Sequence, residues 1–176
     1  METIHIRRVI ADDIYKLQSI GRKTFSETFS AGNTETNMKE YLEESFSEER
    51  LRAELNNENS EFYFAEFNND VIGYLKLNYG QAQTELKEDK ALEIERIYVL
   101  KEFHGKKVGQ LLYEKGLQIA RQINADYVWL GVWEENLRAV SFYKKNGFIE
   151  FDKHIFKLGE DEQTDIMMKL ICKPNS

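Results

Sequence analysis

The stretch LEIERIYVLKEFHGKKVGQLL, residues 92–112, decides the fold of this chain. Its first half is rich in β-branched and aromatic residues, which predicts a strand over 91–100. A short turn containing Gly105 follows, and apolar residues then recur at helical spacing, which predicts a helix from about Lys107 to Ile123. Such a helix begins with unpaired backbone N–H groups and a partial positive charge, a combination that suits a pyrophosphate.

The residues of this turn leave phosphate binding open. Gly105 and Gly109 would let the backbone approach a ligand closely, and Lys106 and Lys107 would add positive charge. The alternative interpretation is that Gly105 serves only the turn and that the two lysines are solvated. The stretch is not a Walker A loop, because the glycine before and the Ser or Thr after Gly105-Lys106 are missing, and it does not match G-x-G-x-x-G.

A second informative stretch is WLGVWEENLRAVSFYKKNGF, residues 129–148. Asn136, Ala139 and Tyr143 fall at positions i, i+3 and i+7 and therefore share one helix face, with Lys145 beyond them. A polar cap, a small residue and a phenol thus lie along one line. The same pattern also fits a tyrosine buried in the core.

The remaining segments predict a single mixed domain over residues 1–176. A helical period runs through 11–57, with Asp12 or Asp13 as the first N-cap and Ser47 at the start of the third helix. Further strands are predicted around Ile4 and over 61–67, 71–78, 127–132, 148–158 and 164–171. The order is β-ααα-βββ-α-β-α-ββ, an α+β or mixed α/β arrangement with helices on both sheet faces.

Composition excludes several function classes. The chain has 24 Lys and Arg against 31 Asp and Glu, a net charge of −7, whereas a nucleic-acid binder needs a basic stripe. No secretory signal and no run of about 18 apolar residues is present, so no membrane partner is expected. A lone Cys172 cannot form an internal disulfide, which favours a reducing, cytoplasmic location.

Five conspicuous side chains are expected to be structural. His5, His104 and His154 lack the spacing of metal ligands, so no metal is expected, and they are assigned to structural or surface positions. Trp129 and Trp133 alternate on one strand face and are assigned to the core rather than to a ligand.

Taken together, the two stretches resemble the GNAT superfamily of acetyl-CoA-dependent N-acetyltransferases over essentially the whole chain. The family's cofactor loop reads Gln/Arg-x-x-Gly-x-Gly/Ala, and here His104 and Lys107 depart from it while Gly109 matches. The second signature, from Asn136 to Phe148, matches without departure. The resemblance implies a GNAT-like fold with a twisted, mostly antiparallel sheet of about seven strands, and acetyl-CoA as acetyl donor.

Within the superfamily, three further segments look like the PaiA-type spermidine and spermine acetyltransferases. They lie at 24–42, 92–99 and 154–165. The resemblance therefore implies a small amine substrate, most specifically a polyamine, and it leaves a homodimer open.

Carried over residue by residue, the resemblance implies a cofactor site. Backbone groups around Ile97 and Val99 would bind the pantetheine and the acetyl carbonyl, and backbone amides from His104 to Gln110 would hold the pyrophosphate. The implied cofactor-binding residues are Ile97, Tyr98, Val99, His104, Gly105, Lys106, Lys107, Val108, Gly109, Gln110, Asn136, Ala139, Phe142, Tyr143 and Lys145.

Acetyl transfer to an amine needs a base, an oxyanion donor and a proton source for the thiolate. Glu93 is the first candidate for the base, because several GNAT enzymes keep a glutamate there, and Glu95 is the second. Both share a face with Ile97 if the strand is regular, and a bulge would separate them. Either glutamate could instead anchor a substrate charge or pair with Arg96. The N–H of Ile97 is the candidate oxyanion donor, and the hydroxyl of Tyr143 can donate to the departing thiolate.

The leading functional hypothesis is an enzyme that acetylates a polyamine by direct attack through a tetrahedral intermediate. One alternative is acetylation of a protein N-terminus, a lysine or another small amine. A second is a non-catalytic module that senses acetyl-CoA, against which the retention of both Glu93 and Tyr143 argues.

Overall fold

Seven strands form one sheet in the order β1-β2-β3-β4-β5-β7-β6, in a computed structural model that describes residues 3–172. The strands are β1 His5–Arg8, β2 Ser60–Phe67, β3 Asp70–Tyr79, β4 Ala91–Val99, β5 Tyr127–Trp133, β6 Ile149–Leu158 and β7 Asp161–Ile171. The helices are α1 Ile14–Phe29, α2 Glu35–Ser45, α3 Glu48–Asn56, α4 Val108–Gln122 and α5 Leu137–Lys145. This order and the mixed fold class confirm the prediction from sequence.

The predicted N-cap of α1 agrees with the observed one, whereas the predicted start of β7 differs from it. Asp13 occupies the N-cap position of α1, but its carboxylate makes no cap bond, because it is paired with Arg7 at 2.8 Å and accepts the N–H of Ile10. Strand β7 begins at Asp161 rather than at residue 164, since only Gly159 and Glu160 separate it from β6. Gly159 has φ +63°, the left-handed conformation that such two-residue hairpin turns require. The third helix begins after Ser47, as predicted, with the Ser47 hydroxyl accepting the N–H of Arg50.

Among the strands described within 3–172, β4 and β5 form the one parallel pair, and helix α4 connects them. Their pairing covers only three positions, the last of which joins Glu93 to Trp129. Beyond that point the strands diverge, and the backbone groups on the facing edge of β4 have no strand partner there. Free backbone donors and acceptors at the middle of a sheet are costly unless a ligand or water satisfies them. The diverging part of β4 is therefore a candidate binding site, where a ligand could pair with the backbone groups that β5 does not reach.

Helices cover both faces of the sheet. A bulge in β4 changes which face of the sheet the residues after it point to. Lys76 of β3 lies opposite Arg96, and the next residue lies opposite Ile94, so Glu95 is the extra residue. Val99 packs toward α4, where it lies 3.9 Å from the position that a Cβ on Gly109 would take.

The glutamates of β4 lie on the other face. Glu93 and Glu95 both accept a hydrogen bond from Asn78, and the guanidinium of the adjacent Arg96 lies over the Phe46 ring on the side of α1–α3. The bulge thus separates Glu93 and Glu95 from Ile97, the outcome that the sequence left open. None of the helices within 3–172 is long and apolar enough to cross a membrane.

Candidate active site

A cleft of about 810 Å³ opens between the diverging ends of β4 and β5. Its walls come from β4, the loop before α4, the end of β5 and helix α5. Fourteen of the residues implied by the resemblance line it: Ile97, Tyr98, Val99, His104, Gly105, Lys107, Val108, Gly109, Gln110, Asn136, Ala139, Phe142, Tyr143 and Lys145. Lys106 does not, and its ammonium lies over the Phe103 ring instead, 5.3 Å from the centroid.

The loop at the start of α4 forms a cradle of backbone donors. Gly105 has φ +80° and Lys107, the N-cap residue of α4, has φ +65°, so both are left-handed. No side chain within 3–172 caps the helix, which leaves the first N–H groups, from Val108 onward, directed out of the helix end. His104 closes the loop against β4, with its Nε2 2.9 Å from the carbonyl oxygen of Val99. This arrangement is suited to a pyrophosphate.

Lys107 explains one departure from the family pattern. The family has glycine at this position, and the backbone of Lys107 adopts the left-handed conformation that glycine adopts without strain. A lysine here therefore adopts a backbone conformation that a glycine at the same position could also adopt.

Helix α5 supplies the opposite wall of the cleft. The side chain of Asn136 accepts the N–H of Ala139 at 3.3 Å and caps the helix. Tyr143 follows on the same face, is 6% exposed, and forms no hydrogen bond through its hydroxyl with any residue in 3–172. Burial raises the pKa of this phenol, with a smaller contribution from Tyr113. The hydroxyl is therefore a neutral donor that is free to serve a ligand.

Glu93 lies outside the cleft and has its own partners. Its side chain is almost completely buried, and it accepts the N–H of Thr84 at 2.8 Å, the Thr84 hydroxyl at 2.6 Å and the Asn78 amide at 3.0 Å. Burial raises its pKa, and the hydrogen bonds from Asn78 and Thr84 oppose that shift. Both carboxylate oxygens are occupied by the loop that follows β3.

Glu95 also lies outside the cleft, within an ion-pair network. Its carboxylate is 2.7 Å from the Lys76 ammonium and 3.2 Å from the Arg96 guanidinium, and Glu54 contacts both cations from α3. Burial disfavours its ionisation, but Arg96 and Lys76 outweigh burial and lower its pKa to about 2. So strongly stabilised a carboxylate has little affinity for a proton at neutral pH.

Several cleft residues were not found from the sequence. Trp133 was assigned to the core, but it lines the cleft with its ring 5.0 Å from that of Phe29, whereas Trp129 is buried as expected. Glu27 and Thr28, at the end of α1, line the same cleft. Nothing in the local pattern distinguishes these residues, since only the placement of α1 over the diverging strands brings them there.

Comparison with known proteins decides the family. Residues 18–148 match the sequence model of the acetyltransferase (GNAT) family. The chain belongs to this family. An uncharacterized N-acetyltransferase of Lactobacillus delbrueckii subsp. lactis is 38% identical over 169 residues, which are 96% of this chain and 98% of that protein. The GNAT family, the acyltransferase class and the acetyl-CoA cosubstrate predicted from sequence are thereby confirmed.

Two further matches come from Thermoplasma acidophilum, one in sequence and one in structure. Its spermidine N(1)-acetyltransferase is 27% identical over 150 residues, 83% of this chain and 88% of that protein. The crystal structure of PaiA N-acetyltransferase from the same organism, in complex with coenzyme A, superimposes with a TM-score of 0.79, 24% identity and coverage of 96% and 99% of the two chains. That superposition establishes the shared GNAT fold.

Proposed function

We propose that this GNAT enzyme acetylates a primary amine of a polyamine, such as spermidine or spermine. The observation that carries the proposal is the cleft between β4 and β5, where an anion cradle and the free Tyr143 hydroxyl meet at one opening. The spermidine acetyltransferase relative supports the polyamine class. So does the net charge of −7 of the chain, which favours a cationic acceptor.

The loop from His104 to Gln110 is proposed to hold the pyrophosphate of acetyl-CoA through its backbone N–H groups. Ile97 and Val99 offer the backbone groups of β4 to the pantetheine, in place of the strand partner that β5 no longer supplies. Asn136 contacts the same arm, and Lys145 lies toward the nucleotide end. Acetyl-CoA supplies an activated thioester there, and these residues fix the position of its carbonyl.

The chemistry proposed for the chain's own groups has three parts. An alkylammonium has a pKa near 10.4, so removing its proton at pH 7 costs roughly 4–5 kcal/mol and calls for a base. The backbone N–H of Ile97, beyond the last pairing with β5, is the proposed donor to the oxyanion. Tyr143 donates a hydrogen bond to the thiolate. Because burial raises its pKa, the phenol stabilises the thiolate by this bond more readily than by giving up its proton.

The test is release of free thiol from acetyl-CoA with a panel of acceptors. The panel contains spermidine, spermine, a monoamine, a lysine peptide and a peptide with a free N-terminus, and a reaction without acceptor measures hydrolysis. Turnover of the two polyamines well above the others supports the proposal. Turnover of the peptides alone would overturn the polyamine assignment, and binding of acetyl-CoA with no turnover of any amine would favour the sensing module.

A further inference from the structure

A row of side chains leads from the edge of the sheet to the cleft. His154 of β6 lies opposite Asp165 of β7, and Asp165 lies opposite Trp133 of β5, which lines the cleft. Neighbouring strands are about 4.8 Å apart, so the row spans about 10 Å. The sequence predicted a structural or surface position for His154, whereas the structure places it in a row with an acidic residue and a residue of the cleft wall.

The imidazole of His154 leans back along this row toward β5. Its Cε1 lies 3.8 Å from the position that a Cβ on Gly131 would take, and Oδ2 of Asp165 lies 3.6 Å from the same position. Gly131 is exposed. The missing side chain therefore leaves an open space bordered by an imidazole and a carboxylate, two residues along β5 from Trp133.

Two carboxylates flank the ring. Oε1 of Glu85 lies 3.2 Å from Nδ1, and Oδ2 of Asp165 lies 3.7 Å from Nε2. Neither contact is a well-formed hydrogen bond: Nδ1 is buried without a partner among the described residues, and none of them donates to the Asp165 side chain. Burial raises the pKa of Asp165, and His154 opposes that shift. The ring nitrogens and the Asp165 carboxylate therefore have unused hydrogen-bonding capacity next to the open space, which Cε1 of His154 and Oδ2 of Asp165 border.

The buried Glu93 holds the loop that carries Glu85 of this cluster. It accepts both the N–H and the hydroxyl of Thr84, the residue before Glu85. These bonds fix the loop that brings Glu85 to the imidazole. The buried glutamate, which does not line the cleft, thus has a positioning role.

We infer that His154 takes the proton from the acceptor ammonium, with Asp165 and Glu85 stabilising the imidazolium and Glu93 positioning Glu85. The inference rests on the proposed function. The ammonium gives one proton to the imidazole, and the freed lone pair forms the C–N bond to the acetyl carbon. As the C–S bond breaks, the second proton lost by the nitrogen ends on the thiolate, and the imidazolium returns its proton to water.

The test is the pH profile of kcat/KM for His154→Gln, between pH 6.5 and 9.5, with the fastest acceptor of the amine panel. The charged groups that face the ring are Glu85 from the loop and Asp165 from β7, while β5 contributes only Gly131. We expect a loss of about 100-fold at pH 7 that shrinks toward pH 9.5, where the amine loses its proton without help. The affinity for acetyl-CoA should stay within twofold.

The matched control is His5→Gln, on the exposed edge strand at the other end of the sheet, which should leave the profile unchanged. A loss that is equal at every pH, or no loss, would overturn the inference. If His154→Gln does not fold, Asp165→Asn decides: a smaller loss with the same pH dependence supports the inference and a flat profile overturns it. Wild-type protein that turns over no amine would instead remove the proposed function itself.

Discussion

The hydroxyl of Tyr143 can be removed without removing the ring, so a catalytic role of the hydroxyl can be tested apart from the packing role of the ring. Replacing it with Phe keeps the ring and its contacts with Phe142 and Phe148, and removes only a hydroxyl that no described residue bonds. If the hydroxyl stabilises the departing thiolate, kcat and kcat/KM should fall together by about 10²-fold or more. The melting temperature should stay close to that of the wild type, because the hydroxyl lines the cleft and makes no hydrogen bond to residues 3–172 that the variant would lose.

Steady-state kinetics, acetyl-CoA affinity and thermal melting of Tyr143→Phe together decide this point. Tyr113→Phe is the matched control, since Tyr113 is a buried phenol of α4 that packs on Phe142 without lining the cleft. Near-normal kcat in Tyr143→Phe would mean that the phenol does not stabilise the departing thiolate.

Glu95 is expected to act on stability, through its ion pairs with Lys76 and Arg96. Its pKa is about 2 in the fold against an ordinary 4.5, so its contribution is complete above pH 4.5 and is lost as the pH falls toward 2. The difference corresponds to about 3 kcal/mol at pH 7. Glu95→Gln should lower the free energy of unfolding by an amount of this order, and also leaves two cations poorly compensated.

Urea unfolding at pH 7 and at steps below pH 4.5 measures this effect. The gap between wild type and Glu95→Gln should narrow as the pH falls, whereas the exposed Glu44→Gln should differ little from wild type at any pH. A gap that stays constant down to pH 3 would contradict the assignment.

At the scale of elements, the loop before α4 contains a residue, Lys107, in a backbone conformation that is unfavourable for a side chain. Lys107 holds a left-handed conformation that costs an L-residue roughly 1–2 kcal/mol. Lys107→Gly should remove this cost. Because glycine also gives the unfolded chain more conformational freedom, part of the gain is lost, and the free energy of unfolding should rise by about 0.5–1 kcal/mol. Lys106→Gly is the control, because residue 106 has no positive φ to relieve and should only lose stability.

Chemical denaturation of the two glycine variants gives these differences directly. Equal destabilisation by both substitutions would mean that residue 107 carries no strain. A weaker affinity of Lys107→Gly for acetyl-CoA, at unchanged or higher stability, would show that its charge also serves the ligand.

The elements differ in how far their sequence could predict them. The strand, turn and helix of residues 92–112 follow from local periodicity and turn chemistry, whereas the cofactor role of the loop came only from the resemblance to the family. The bulge at Glu95 does not, because it depends on the register against Lys76 in β3, which is invisible in the β4 sequence alone. The pairing of His154 with Asp165 could have been found, since a two-residue turn at 159–160 fixes the partners from Leu158 and Asp161 as far as the bulge between Glu150 and Asp152.

At the scale of the molecule, the site exists because a continuous sheet is opened at one pair of strands. Three positions of parallel pairing hold β4 to β5, and the divergence beyond them gives the ligand a place that the protein itself leaves unsatisfied. Helix α4 delivers its N-terminus to this opening, and α1 and α5 close the sides. No single segment encodes the cleft, which is why the residues of α1 that line it escaped prediction.

A ligand that fills this opening should therefore stabilise the whole domain. Acetyl-CoA binds the folded state only, so at 100 times its Kd it should add about 2.7 kcal/mol to the free energy of unfolding. For a domain of this size that is roughly 5–11 °C in melting temperature. Coenzyme A should give nearly the same shift, because the proposed contacts are to the pantetheine and the pyrophosphate. ATP at equal concentration should give much less, since it offers phosphates to the loop but nothing to the edge of β4. A shift with ATP as large as that with acetyl-CoA would mean that the diverging strands contribute nothing to binding, and the cleft between β4 and β5 would lose its assignment as the pantetheine site.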